Sequence, residues 1–115
     1  MKGLLGMGLV VWGLTGGMAA QAERREVDLR LPAQTVPLPV LVRQAEMLAR
    51  AATQEAFDKE VLVSQVAVKV TLETEQAAAP LLQVNVSRTN WLARPDVQIW
   101  GRYFLDSAAL MGLRR

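Results

Sequence analysis

Between Gln65 and Arg88 the chain reads QVAVKVTLETEQAAAPLLQVNVSR, and this stretch constrains the fold more than any other. Val66, Val68, Val70 and Leu72 alternate with Gln65, Ala67, Lys69, Thr71 and Glu73. After a break at Glu75–Pro80, Leu82, Val84 and Val86 alternate with Gln83, Asn85 and Ser87. A period of two places one set on each face of a sheet. The short break predicts an antiparallel hairpin of strands Val61–Thr74 and Leu81–Ser87, with an irregularity of phase around Ser64. One face of the hairpin is apolar and one is polar, so other elements must cover the apolar side.

The flanking segments supply that cover. Val27, Leu29 and Leu31 alternate with Asp28 and Arg30, which predicts a short strand over Glu26–Leu31, ended by Pro32 and preceded by a frayed, charged Glu23–Glu26. From Leu38 to about Lys59 the spacing becomes helical. Leu38, Leu41, Val42, Ala45, Leu48, Ala49, Ala52, Ala56 and Phe57 share one face, with Thr35 as the expected N-cap. Further on, Thr89 is expected to cap a short turn over Asn90–Ala93. A last helix then starts at Asp96, carries the stripe Val97, Trp100, Phe104, Ala108 and Met111, and stops at Gly112. The expected class is α+β, in the order β-α-β-β-α. Its small, mostly antiparallel sheet would carry two helices packed on one face. The crossover through the long helix should be right-handed if the strands it joins are parallel neighbours.

The N-terminus has its own grammar. Lys2, the apolar run Leu4–Leu14 and the small-x-small sequence Ala20-Gln21-Ala22 are the layout of a secretory signal peptide, with cleavage expected before Glu23. Residues 23–115 then form one domain. The alternative is a retained anchor, because Gly3–Ala22 is 20 uncharged residues, just long enough to span a bilayer. Its six glycines weaken it as a stable helix. Membrane contact is expected only if this segment stays uncleaved.

Composition narrows the chemistry. There is no cysteine and no histidine, so disulfides, the usual zinc, haem and copper sites, and Ser–His–Asp or Cys–His nucleophiles cannot be assembled. Lys59 and Lys69 lie in no motif. Asp96 and Asp106, ten residues apart on the expected helix, would stand about 15 Å apart along its axis, too far for a glycosidase pair. Gly101 and Gly112 form no phosphate loop. Without Lys2 the chain carries 12 basic and 11 acidic side chains, a formal +1, which argues against a nucleic-acid partner. No enzyme activity, cofactor or metal is expected. A pocket between helices and sheet would be the route to the contrary reading, a small-molecule-binding or enzymatic domain.

Arginines and aromatics crowd the C-terminal third, where such residues serve protein contacts. The candidate interaction residues are Arg88, Trp91, Arg94, Arg102 and Tyr103. The competing reading makes Trp91 and Trp100 core wedges. Arg102 and Tyr103 fall off the Val97–Trp100–Phe104 stripe and are the better candidates for an exposed contact with a protein partner or a second copy.

In this region Ser87, Arg88, Trp91, Pro95, Trp100, Arg102 and Tyr103 spell SRxxWxxxP followed by WxRY. The pattern resembles small exported proteins common in cyanobacteria, and the likeness covers about the last 80 of the 115 residues. The resemblance implies a leader, an alanine- and glutamine-rich helix, a hairpin and a periplasmic or thylakoid-lumen location. It implies no activity. Function is therefore expected to be that of an exported binding or accessory protein, a subunit or assembly partner of an extracytoplasmic or membrane complex. Edman sequencing of exported material should begin at Glu23, and a chain beginning at Met1 would refute cleavage.

Overall fold

The computed structural model describes residues 23–110. The elements are β1 (Glu23–Pro32), α1 (Leu38–Lys59), β2 (Val63–Glu73), β3 (Ala78–Ser87), α2 (Arg88–Ala93), α3 (Val97–Trp100), β4 (Gly101–Tyr103) and α4 (Leu105–Leu110). The expected leader, Met111 and Gly112 lie outside the described residues. The class is α+β, with a mixed four-stranded sheet in the order β1-β2-β3-β4. β1 runs parallel to β2, and the other two pairings are antiparallel.

β1 is longer than its apolar alternation suggests. It pairs from Glu23 onward, because Arg24, Glu26, Asp28 and Arg30 keep the same period as Val27, Leu29 and Leu31 and take the polar face. Glu23 lies opposite Val63 and Arg24 opposite Gln65, so Ser64 is an extra residue in β2. That is the phase irregularity seen in the sequence, resolved as a bulge.

The hairpin turn is tighter than the expected six-residue break. Thr74 N–H donates to the Ala77 carbonyl at 2.8 Å, and Thr74 Oγ1 accepts from the Ala77 N–H at 3.1 Å. Pairing therefore resumes at Ala78, three residues before Leu81. A second irregularity sets Val70 opposite Leu82 and Thr71 opposite Pro80, leaving Leu81 over. Both leucines are consequently buried, which strict alternation forbids.

α1 lays Leu38, Leu41, Ala45, Ala49, Ala56 and Phe57 on the sheet, against Val66, Val68, Val70 and Leu72 of β2 and the facing side chains of β3. Leu48, expected in this stripe, is 39% exposed on the flank. Thr53 is fully buried instead, its hydroxyl donating to the Ala49 carbonyl at 2.7 Å and so needing no other partner. Thr35 does not cap the helix. It sits in the left-handed region at φ 62°, and Pro37 occupies the N-cap position without a side-chain bond.

The C-terminal segment departs furthest from expectation. In place of one helix from Asp96 there is a single helical turn, a three-residue strand and a second short helix. Gly101 is the hinge. A Cβ there would overlap the Val97 carbonyl oxygen and stand 2.9 Å from Leu82 Cδ1. The missing side chain lets the backbone close onto β3, where Gly101, Arg102 and Tyr103 pair with Val84, Gln83 and Leu82. Pairing β3's open edge outweighs continuing a helix through glycine. With that helix broken, its rise no longer sets the Asp96–Asp106 separation. Ser87, not Thr89, caps α2, accepting from the Asn90 N–H at 3.1 Å. Asp96 caps α3, accepting from the Gln98 N–H at 2.9 Å.

The two tryptophans separate. Trp91 is fully buried, whereas Trp100 only packs partly against the core. Trp91→Ala should cost about 3–5 kcal/mol, as truncation of a core aromatic does. Trp100→Ala should cost about 1–2 kcal/mol, the scale of one lost hydrogen bond to the Arg94 carbonyl and a partial contact. Urea unfolding of the two variants checks this, and equal losses would contradict the assignment.

Candidate functional site

The five candidate interaction residues fall into different environments. Arg88 begins α2, and its side chain turns back beneath the end of α1. Its Nε donates to the Val63 carbonyl at 2.9 Å, Nη1 to Phe57 at 3.0 Å, and Nη2 to Glu60 at 2.7 Å and Val61 at 3.3 Å. The guanidinium also lies over the Phe57 ring, 4.9 Å from its centre. The last turn of a helix leaves carbonyls without intrahelical partners, and a planar group with five donors is suited to collect them. Arg88 is thus occupied in holding the α1–β2 connection.

Trp91 is occupied as well. Its ring fills the core, and its Nε1 donates to Gln54 Oε1 at 3.0 Å. The fully buried tryptophan follows the core reading rather than the contact reading.

Tyr103 and Arg102, adjacent in sequence, point to opposite faces of the sheet because β4 is extended. Arg102 lies on the polar face, opposite Gln83 and 5.5 Å from the centre of the Phe104 ring. Tyr103 lies on the face that carries α1, and its hydroxyl donates to Glu46 Oε2 at 2.5 Å. Gln98 Nε2 donates to the same oxygen at 3.3 Å. Burial pushes the Tyr103 hydroxyl above the ordinary tyrosine range, and its bond to Glu46 and the negative charges of Glu46 and Asp96 add to the rise. The strand that the sequence did not reveal separates the two residues it had grouped.

Arg94 remains exposed, beside a groove between α1 and the segment Pro95–Gln98. Arg43, Glu46, Met47 and Arg50 line the helix side, and the groove measures about 330 Å³. Arg50 Nε donates to the Pro95 carbonyl at 3.3 Å and joins the two walls. Met47 is 70% exposed at the lip. The groove thus offers an apolar side chain between two arginines, with Arg94 close in sequence to its far wall. Sequence reading missed Arg43, Met47 and Arg50 as contacts. The visible signal was their i, i+4, i+7 spacing on the face of α1 away from the alanine stripe.

A smaller apolar groove of about 290 Å³ lies between the start of α1 and α4, lined by Leu38, Pro39, Val42 and Leu105. Among the described residues no group of three or more Asp and Glu side chains is placed to hold a metal ion, and no buried side-chain polar atom lacks a hydrogen-bond partner. No described helix is long and apolar enough to cross a membrane. No family model matches the chain, and neither the curated proteins nor the solved structures contain a significant match.

Tyr103 is the only tyrosine, so its ionisation can be followed without overlap. Its folded pKa lies above the unfolded value near 10. The folded state therefore holds this proton longer, and the associated stability is complete below about pH 10 and falls as pH rises beyond it. Tyrosinate absorbance in a base titration should appear only above the ordinary midpoint, and Glu46→Gln should lower that midpoint. An ordinary midpoint in the parent chain would refute the contact.

Proposed function

We propose that this chain is an exported, non-enzymatic binding or accessory protein, a subunit or assembly partner of an extracytoplasmic or membrane complex. The observation that carries the reading is the exposed lip of the α1 groove, where Met47 lies between Arg43 and Arg50. An exposed apolar side chain flanked by two arginines matches the composition of contact centres between proteins. The groove sets Arg43 and Arg50 against Glu46 and Asp96, so it suits a partner segment with an apolar side chain flanked by charges of both signs. Export rests on the N-terminal leader layout, and the periplasm or thylakoid lumen on the resemblance of the C-terminal motif.

A small-molecule-binding or enzymatic role is the second reading. The apolar groove at Leu38, Pro39, Val42 and Leu105 favours it, since that surface could take a compact apolar ligand. No described titratable constellation supplies an acid, base or nucleophile there.

Capture on the tagged full-length chain from extracts of its own host, followed by mass spectrometry, tests the first reading. The expected result is one enriched protein that Arg43→Glu with Met47→Glu releases while the melting temperature of the chain is unchanged. Retention of every captured protein by that double variant would refute the groove as the contact. A melting shift with small apolar ligands, abolished by Val42→Glu, would favour the second reading.

A further inference from the structure

The flank of α1 opposite the groove is open. Glu46, Arg50 and Gln54 face the C-terminal segment through Tyr103, Pro95 and Trp91. Leu48 and Ala52 therefore lie on the other side of the helix, over β1, where Val27 and Leu29 are only half-buried. β1 is also the edge of the sheet. Ala33 N–H donates to the Glu73 carbonyl and the Glu23 carbonyl accepts from Ser64, so odd-numbered residues turn their backbone groups toward β2. Arg24, Glu26, Asp28 and Arg30 turn theirs outward, and among the described residues no strand pairs with them.

Charges on an edge strand ordinarily deter pairing. Here their order makes the strand complementary to itself. We propose that two copies of this chain join through antiparallel β1 strands, Leu29 opposite Leu29, so that one sheet runs through both. In that register Asp28 faces the partner's Arg30 twice, and Val27 faces the partner's Leu31 beneath Leu48. The other registers centred between Arg25 and Arg30 fail on charge, and one centred on Leu31 sets Arg30 against Pro32 and forms no ion pair. Centred on Val27, Glu26 meets Asp28 and Arg24 meets Arg30. Centred on Arg25, Glu26, Asp28 or Arg30, a charged residue meets itself. Arg30 already bonds Glu73 at 3.0 Å, but its side chain is 65% exposed and its guanidinium keeps further donors for Asp28. The contact has two-fold symmetry and closes after two copies. It uses neither groove, so substitutions at Arg43 and Met47 leave it unchanged, and it stands or fails apart from the proposed function.

Because the chain lacks cysteine, Leu29→Cys places one thiol on the two-fold axis. The full-length chain carrying it, treated with a mild oxidant in intact cells, should form a disulfide-linked dimer on non-reducing gels. The yield should exceed by about tenfold that of Lys69→Cys, a position in the middle of the polar face. In the Leu29→Cys background, Asp28→Arg or Arg30→Asp should each lower the yield about tenfold, and the two together should restore it, because the exchanged charges face each other again. Should Leu29→Cys disturb folding, sedimentation velocity of the full chain in mild detergent reads the same charge series with Leu29 intact. The two-copy species should be present in the parent, lost in each single variant and regained in the double. A Leu29→Cys chain that forms no disulfide-linked dimer together with a parent that sediments as a monomer, single variants without effect, or a double variant that fails to recover would each overturn the proposal.

Discussion

The close approach of α1 to β2 is the contact from which the rest of the domain takes its position. Alanine at 45, 49 and 56 keeps the helix surface thin where it crosses Val66, Val68 and Val70, and all three alanines are buried. Burying apolar surface contributes roughly 25 cal/mol per Å², and the valine and leucine row of β2 supplies much of that surface. No disulfide shares this work, as the chain contains no cysteine. One helix on one sheet does not cover the whole apolar face. The rest is covered by the short C-terminal pieces, with Trp91, Val97 and Ala108 as their buried members.

Arg88 makes the junction between these parts rigid. A single guanidinium satisfies carbonyls from the last turn of α1, from the connection after it and from the start of β2. Lysine could not reproduce that pattern, because its donors radiate from one point rather than lying in a planar fork. The same residue starts α2 and thereby sets where Trp91 enters the core. A side chain that reads in sequence as an exposed contact is, in the fold, a structural clasp whose hydrogen-bond partners are all main chain.

What remains outward-facing is informative by contrast. The aromatic residues of the C-terminal motif are drawn inward, Trp91 completely and Tyr103 onto Glu46. The helix face away from the sheet keeps Arg43 and Met47 exposed, while Arg50 bonds the Pro95 carbonyl. Recognition would then fall to the scaffold's most regular element. Such an element holds side chains at fixed spacing better than a loop does.

Periodicity alone determined the α+β class, the start and end of α1, the two hairpin strands apart from the first three residues of β3, and an irregularity of phase at Ser64. These are local properties, set by which side chains recur every two or every three to four residues. The absence of thiol and imidazole likewise followed from composition. The division of the C-terminal segment, the burial of both Leu81 and Leu82, the pairing of β1 from Glu23 and the roles of Arg88, Arg102 and Tyr103 were decided only in three dimensions. Each depends on a distant strand edge or helix end whose unpaired backbone groups had to be met, and nothing in the local spacing records where those groups will lie.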